Sequence, residues 1–208
     1  MNKKILIVVI AGLLINCKKE LKVYVSEKYP NGNKKKEIYY YNRQTDPRRV
    51  VIYGLNGNVK SDQYMKNGKP DSLTVIYHEN GNKYKEVTYI QDPETKKQMK
   101  NGKEISWYEN GNLKSEATFE NGLPIGTAVT YFEDGKKSSQ VSFQNGKKHG
   151  EETHWYSNSN KKKSVPYSSG DMDGVMKEWY ENGKPKKEST YKNNHLEGKS
   201  TTYHENGR

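Results

Sequence analysis

The sequence has little of what a thick hydrophobic core or a covalent framework requires. It contains one cysteine in 208 residues, which excludes an intramolecular disulfide and a metal cluster built from cysteine alone. Apolar residues make up 31% of the chain, and the mean hydropathy is −1.17. A net charge of +11 at this hydropathy is typical of disorder, but 17 Tyr and three Trp are too many aromatics for a solvated coil. These aromatics indicate a periodic structure in place of one deep core.

The N-terminal segment has the pattern of an export signal. Lys3 and Lys4 precede an apolar run over residues 5–15, and these 11 residues are too few to cross a bilayer, which takes roughly 20 as a helix. The run ends at Asn16-Cys17 and resembles a bacterial lipoprotein signal, in which the cysteine becomes the first mature residue and carries lipid. We therefore predict a signal peptide over 1–16, lipidation of Cys17, a tether over 17–28 and a lipid-anchored location at the bacterial cell envelope. The predicted anchor lies in the outer membrane or at the cell surface, with the periplasmic face as a further possibility. An ordinary export signal that leaves a free cysteine is the alternative.

A short aromatic-polar-Asn-Gly unit recurs through the rest of the chain with a main period of 24 residues. A second turn signal follows 11 residues after the first in most copies, as in Asn121-Gly122 and Asn145-Gly146. One step of 30 residues, between Gly81 and Gly111, absorbs an insertion near residues 91–97. The pattern predicts a repeat domain over 29–208 with about eight copies. Their first turns end at Gly32, Gly57, Gly81, Gly111, Gly135, Ser159, Gly183 and Gly207.

Asn-Gly between alternating runs is a strong hairpin signal. We predict that each first turn is a tight type I′ turn with positive φ at both central residues, and that each second turn is looser. Aromatics four residues before the turn glycine and eight after it, such as Tyr131 and Phe143, are predicted to share one face of the sheet. The aromatic three before the glycine, such as Tyr156, is predicted to face the other way. The fold class is all-β, an elongated open antiparallel β-meander of tandem hairpins.

The repeated unit, with Tyr-Glu-Asn-Gly followed by a Lys/Ser-rich strand, an aromatic and a second Asn-Gly, resembles the bacterial MORN-repeat variant. Proteins of this family are commonly labelled as the antitoxin of a toxin-antitoxin pair. The resemblance covers nearly all of the chain from Tyr29 to Gly207. It implies stacked hairpins without enzymatic activity.

No catalytic or metal-binding pattern stands out. His78 and His204 occupy one repeat position and are interpreted as substitutes for Tyr in a ladder. His149 and His154 lack the His-Glu-x-x-His spacing. The repeated turn glutamates are interpreted as solvating groups, since they recur with the turn. We therefore predict no enzyme, no metal and no cofactor.

The remaining hypotheses concern binding. The first is a monomeric, membrane-tethered scaffold for another protein, a toxin or a surface protein, because aromatic side chains offer large contact area at low entropic cost. The second is recognition of carbohydrate or cell wall by exposed rings, and the third is electrostatic binding of the lysine runs to anionic envelope surfaces. Nucleic acid is disfavoured by the export signal. The candidate binding surface comprises Trp107, Tyr108, Trp155, Tyr156, Trp179 and Tyr180.

Overall fold

A computed structural model describes residues 22–41 and 46–206, and each regular element in these two ranges is a β-strand. The chain divides between Met99 and Lys100 into two compact units. In the first unit each strand pairs antiparallel with the next, which confirms the predicted meander. Its strands are β1 (Lys22–Lys28), β2 (Lys34–Tyr40), β3 (Pro47–Tyr53), β4 (Val59–Lys66), β5 (Lys69–Tyr77) and β6 (Lys83–Gln91).

The strand β1 corrects one predicted boundary. Residues 22–28, which we assigned to the tether, pair with β2 and open the hairpin series before residue 29. The predicted signal peptide and Cys17 lie outside the described residues.

The second unit repeats the same antiparallel arrangement. Two of its strands, β11 and β14, are short pieces that precede β12 and β15 after a second turn. A loop over residues 92–97 stands between β6 and β7, where the sequence predicted an insertion. The strand β7 (Gln98–Trp107) begins two residues before the boundary and continues into the second unit. The other strands of the second unit are β8 (Leu113–Glu120), β9 (Leu123–Tyr131), β10 (Lys137–Gln144), β11 (Lys147–Lys148), β12 (Gly150–Trp155), β13 (Lys161–Ser168), β14 (Asp171–Met172), β15 (Gly174–Trp179), β16 (Pro185–Lys192) and β17 (His195–Thr202).

The two kinds of turn are the reverse of our prediction. In the first turn, Gly135 N–H donates to the Phe132 carbonyl at 2.9 Å, Phe132 N–H donates to the Lys136 carbonyl at 2.7 Å, and only the glycine has positive φ, at 85°. This is a three-residue loop ending in a glycine bulge, so the type I′ prediction for the first turn is wrong. The second turn is the two-residue one, because Asn145 and Gly146 both have positive φ and Gln144 pairs with Lys147.

A further bulge follows the first turn, and it corrects the predicted faces of the aromatic ladders. Tyr131 pairs with Lys137 but Thr130 pairs with Ser139, so one residue, Ser138, is extra on β10. An extra residue moves all later side chains to the other face. Tyr131 and Phe143 therefore lie on opposite faces. The extra residue recurs after each first turn from β1 to β16, as Lys35, Lys60, Tyr84, Lys114, Ser138, Lys162 and Lys186.

In the second unit the aromatics eight residues after the turn glycine, or after Ser159 in its place, pair with glycines on the neighbouring strand. Phe143 pairs with Gly126, Tyr167 with Gly150 and Tyr191 with Gly174. Glycine has no side chain to pack in a strand, and an aromatic ring across from it supplies the missing contact.

Few residues are buried, and most of them are small. In the first unit Val51 is 3% exposed and Val87 is 2% exposed, and in the second Val165 is 3% exposed. A buried hydroxyl can pair across strands, as that of Ser189 does with the hydroxyl of exposed Ser200 at 2.7 Å. Many cross-strand pairs therefore stabilise each unit, each contributing roughly 0.2–1 kcal/mol.

Candidate binding surface

Trp155 and Trp179 lie on one face of the second unit, which we call the tryptophan face. On this face Thr153 pairs with Ser164 and Ser164 pairs with Lys177, and each tryptophan lies two residues further along its strand. Two strand spacings separate the tryptophans, about 9–10 Å. Trp107 has the same position on β7. All three tryptophans are half-buried.

An open groove of about 390 Å³ runs beside Trp179 on the tryptophan face. Val175, an apolar side chain in its wall, is 44% exposed. The groove combines an aromatic ring with aliphatic surface, and aromatic residues are enriched in protein-binding patches. Its lining includes Lys161, Ser164, Pro166, Val175, Lys177 and Trp179.

The charges around this groove are only loosely paired. The Lys161 ammonium lies 5.9 Å from the centroid of the Trp179 ring and 3.8 Å from a Glu151 carboxylate oxygen. Lys177 lies 3.7 Å from Glu188. Exposed ion pairs at such distances contribute roughly 0–1 kcal/mol, so both lysines can exchange their partners for groups on another molecule at little cost.

Tyr108, Tyr156 and Tyr180 lie at the first turns and bind the next repeat. The Tyr156 hydroxyl donates to the Trp179 carbonyl at 2.9 Å, and the Tyr180 hydroxyl donates to the Tyr203 carbonyl at 2.8 Å. The Tyr108 hydroxyl donates to the Tyr131 carbonyl at 2.7 Å. The structure thus gives these three side chains an internal function, and the binding role we assigned to them stays a prediction.

The bulged lysines pack against the same tyrosines. Lys162 lies 5.4 Å from the Tyr156 ring centroid, and Lys186 lies 5.6 Å from that of Tyr180. A bulge re-aims a side chain, and here it directs an ammonium group toward a ring. Sequence reasoning missed this contact because nothing in the sequence distinguishes these lysines from other surface lysines that come after a turn.

Within each unit, side chains at one turn position, most of them asparagines, link a first turn to the next one. The Asn160 side chain donates to the Glu181 carbonyl at 2.9 Å, and the Asn112 side chain donates to the Glu133 carbonyl at 2.8 Å. At the equivalent position Lys136 donates to the Ser157 carbonyl at 3.0 Å. The turns are therefore joined to one another independently of the strand ladder.

A charged cluster in the first unit was also missed by sequence reasoning. Glu37 is 4% exposed and accepts hydrogen bonds from Lys34 and from the hydroxyls of Tyr39 and Tyr53. Burial alone would raise the pKa of Glu37, but the hydrogen bonds from Lys34 and Tyr53 outweigh burial and hold that pKa below its usual value. Every member therefore has a partner that stabilises its charged or polar form, which is typical of a structural cluster.

A second carboxylate of this kind is Glu152 in the second unit. Its Oε2 lies 2.7 Å from the Lys148 ammonium, and its Oε1 lies 3.4 Å from the His154 Nε2. Burial opposes ionisation, but the hydrogen bond and charge of Lys148 keep the pKa of Glu152 below its usual value.

Among residues 22–41 and 46–206 there is no group of three or more His, Cys, Asp or Glu side chains placed to hold a metal ion. In the same ranges no helix has the length and apolar character needed to cross a bilayer.

Comparison with known families supports the resemblance drawn from the repeated unit. Four segments match the family described as the MORN repeat variant, at residues 71–91, 100–121, 124–145 and 172–193. Proteins built from MORN repeats are generally scaffolds that bind proteins or membranes. Comparison with curated proteins finds no match.

Proposed function

We propose that this chain of MORN repeat variants is a non-enzymatic scaffold that binds another protein through its tryptophan face. The observation that carries the proposal is the open groove in which half-buried Trp179 lies beside exposed Val175. Interfaces are enriched in aromatic residues, and a few aromatic anchors usually supply most of the binding energy.

The geometry favours a protein over a carbohydrate ligand. A sugar ring would stack on the face of an indole. The Lys161 ammonium already lies over the Trp179 ring, 5.9 Å from its centroid, so a sugar would have to displace it. A protein partner can instead place a carboxylate on Lys161 or Lys177 while an apolar side chain fills the groove. Purely electrostatic binding is less favoured, because Glu151 and Glu188 lower the net positive charge of this face although each ion pair is weak.

The cellular setting belongs to the same proposal. We place the protein at the bacterial envelope, held by lipid on Cys17, because the first 17 residues resemble a lipoprotein signal. An immunity-type function, in which the partner is a toxin, is supported only by the label that the family carries.

Site-specific photo-crosslinking tests the proposal. A benzophenone amino acid at Val175, on the tryptophan face, is compared in cells with the same amino acid at half-buried Lys187, on the opposite face. We expect one saturable protein adduct when the benzophenone is at position 175, and we expect the Trp179→Ala substitution to abolish it. The same adduct should not form when the benzophenone is at position 187. Circular dichroism checks that the Trp179→Ala variant keeps its β-structure.

Three results would contradict the proposal. They are identical adducts at both positions, an adduct that persists in Trp179→Ala, and glycan binding that depends on Trp179 without any protein adduct. Binding to anionic vesicles that disappears at high salt, again without an adduct, would favour the electrostatic alternative.

Cell fractionation tests the anchor. The wild type is expected in the membrane fraction and the Cys17→Ser variant in the soluble fraction. Membrane association that does not depend on Cys17 would contradict lipidation there.

A further inference from the structure

One first turn in the first unit lacks the ring that its sibling turns carry. Gly54 occupies the position of Tyr29, Tyr108, Tyr156 and Tyr180, three residues before the turn glycine. The turn keeps the shared hydrogen bonds, with Gly57 N–H donating to the Gly54 carbonyl at 3.0 Å and Gly54 N–H donating to the Asn58 carbonyl at 2.7 Å. The turn therefore keeps its backbone hydrogen bonds without the aromatic side chain. The Asn56 Oδ1 lies 2.8 Å from the place that a Cβ on Gly54 would occupy, so a side chain attached there requires Asn56 to shift.

An open cleft of about 480 Å³ lies where that ring would be. Its walls are fixed from both sides. The Asn33 side chain donates to the Leu55 carbonyl at 2.9 Å, and the Asn58 side chain donates to the Glu79 carbonyl at 3.0 Å. The lining includes Gly54, Leu55, Asn58, Val59, Lys60 and His78.

The sibling turns show what such a position binds. In three of them a tyrosine hydroxyl donates to the carbonyl 23 residues further along the chain, and a bulged lysine lies 5.2–5.6 Å from the ring centroid. At the empty position the corresponding acceptor is the Tyr77 carbonyl. The corresponding bulged residue is Lys60, whose Cε lies 3.2 Å from the place that a Cβ on Gly54 would occupy.

We propose that this cleft binds an aromatic side chain of a partner protein, with tyrosine preferred. The incoming ring takes the place of the missing ladder member, Lys60 covers its face, and its hydroxyl donates to the Tyr77 carbonyl. This site lies in the first unit and uses none of the residues of the tryptophan face, so it goes beyond the function proposed above.

The test uses p-cresol, the side chain of tyrosine, added to isotope-labelled protein and followed by NMR. We expect saturable shifts at the amides of Asn56, Asn58, Lys60 and His78. The dissociation constant should be on the order of 1 mM, as suits a ligand with about eight non-hydrogen atoms. Toluene, which lacks the hydroxyl, should bind more weakly.

Three variants sharpen the test. Gly54→Tyr fills the cleft and should abolish the shifts. Lys60→Met keeps the length of the side chain but removes its charge, and should weaken binding by about 2- to 5-fold. Tyr156→Gly opens the equivalent cleft in the second unit and should create a second set of shifts at Asn158, Asn160 and Lys162.

The proposal fails if wild-type protein shows no saturable shift at the cleft or if Gly54→Tyr, folded by its amide spectrum, keeps the shifts. It also fails if Tyr156→Gly folds but gains no second site. Toluene binding as tightly as p-cresol would overturn the preference for tyrosine. These outcomes are independent of the crosslinking result, because no residue is shared between the two sites.

Discussion

Replacing Ser159 by glycine should stabilise the protein. Ser159 holds the turn-glycine position of its repeat with φ of 71°, a left-handed conformation that costs an L-residue roughly 1–2 kcal/mol. Glycine removes that cost but gives the unfolded chain more freedom, which offsets roughly 0.4–1 kcal/mol. The Ser159 N–H bond to the Tyr156 carbonyl, 2.9 Å long, does not depend on the side chain. We therefore expect a net gain of about 0.5–1 kcal/mol in the free energy of unfolding.

Urea unfolding followed by tryptophan fluorescence measures this gain, because Trp155 lies four residues before the substitution. The matched control is Gly135→Ser, where φ is 85° and an added Cβ meets no atom within 4 Å. It should lose about as much as Ser159→Gly gains, since only the backbone conformation is at issue. A Ser159→Gly variant with an unchanged or lower midpoint, at an unchanged m-value, would refute the reasoning.

Three further predictions follow from the same contacts. Tyr156→Phe removes the hydroxyl that donates to the Trp179 carbonyl and should lower the free energy of unfolding in urea by about 1 kcal/mol. Phe132→Tyr should raise it by part of that amount, because the new hydroxyl supplies the hydrogen bond that this turn lacks. Equal stability of wild type and both variants would argue against a stabilising role for these hydroxyls. Ser72→Gly should raise the urea midpoint, because Ser72 has φ of 71° inside β5; a lower midpoint would show that its side chain matters more than its backbone. The lowered pKa of Glu37 contributes stability that is present above the unfolded-chain pKa of about 4.3 and is lost as pH falls through the lower folded pKa. The melting temperature of Glu37→Gln should therefore depend less on pH below about 4.5 than that of wild type. Parallel curves of melting temperature against pH would contradict this prediction.

The period of the sequence was enough to predict the hairpins. A turn glycine every 24 residues, with alternating runs on both sides, leaves little freedom in where the strands begin and end. The 30-residue step between Gly81 and Gly111 likewise predicted the loop at 92–97. Chain-local signals of this kind need no knowledge of which strands become neighbours.

The bulges could not be predicted in the same way. Lys162 and Lys186 look like ordinary surface lysines, because an extra residue in a strand changes register without changing composition. That single residue decides which face each later aromatic occupies, so the predicted faces were wrong although the aromatic positions were identified. The hydrogen bond from Tyr53 to Glu37 was missed for a related reason, since Tyr53 is 16 residues away in sequence and is brought near only by register.

The candidate surface was predicted in part. The three tryptophans share one repeat position, and the structure places Trp155 and Trp179 on the same face. The neighbouring tyrosines were grouped with them because both recur at the turn. Their hydroxyls, however, meet backbone carbonyls of the next repeat, and that distinction depends on how the repeats stack.

Cross-strand contacts of Thr153 test most directly the register on which the tryptophan face depends. With the bulge at Lys162, nuclear Overhauser effects should connect the backbone protons of Thr153 with those of Ser164, its partner in the structure. If the strongest effects connect Thr153 with Lys163 instead, the bulge is absent, and neither the assignment of faces nor the aim of the bulged lysines survives.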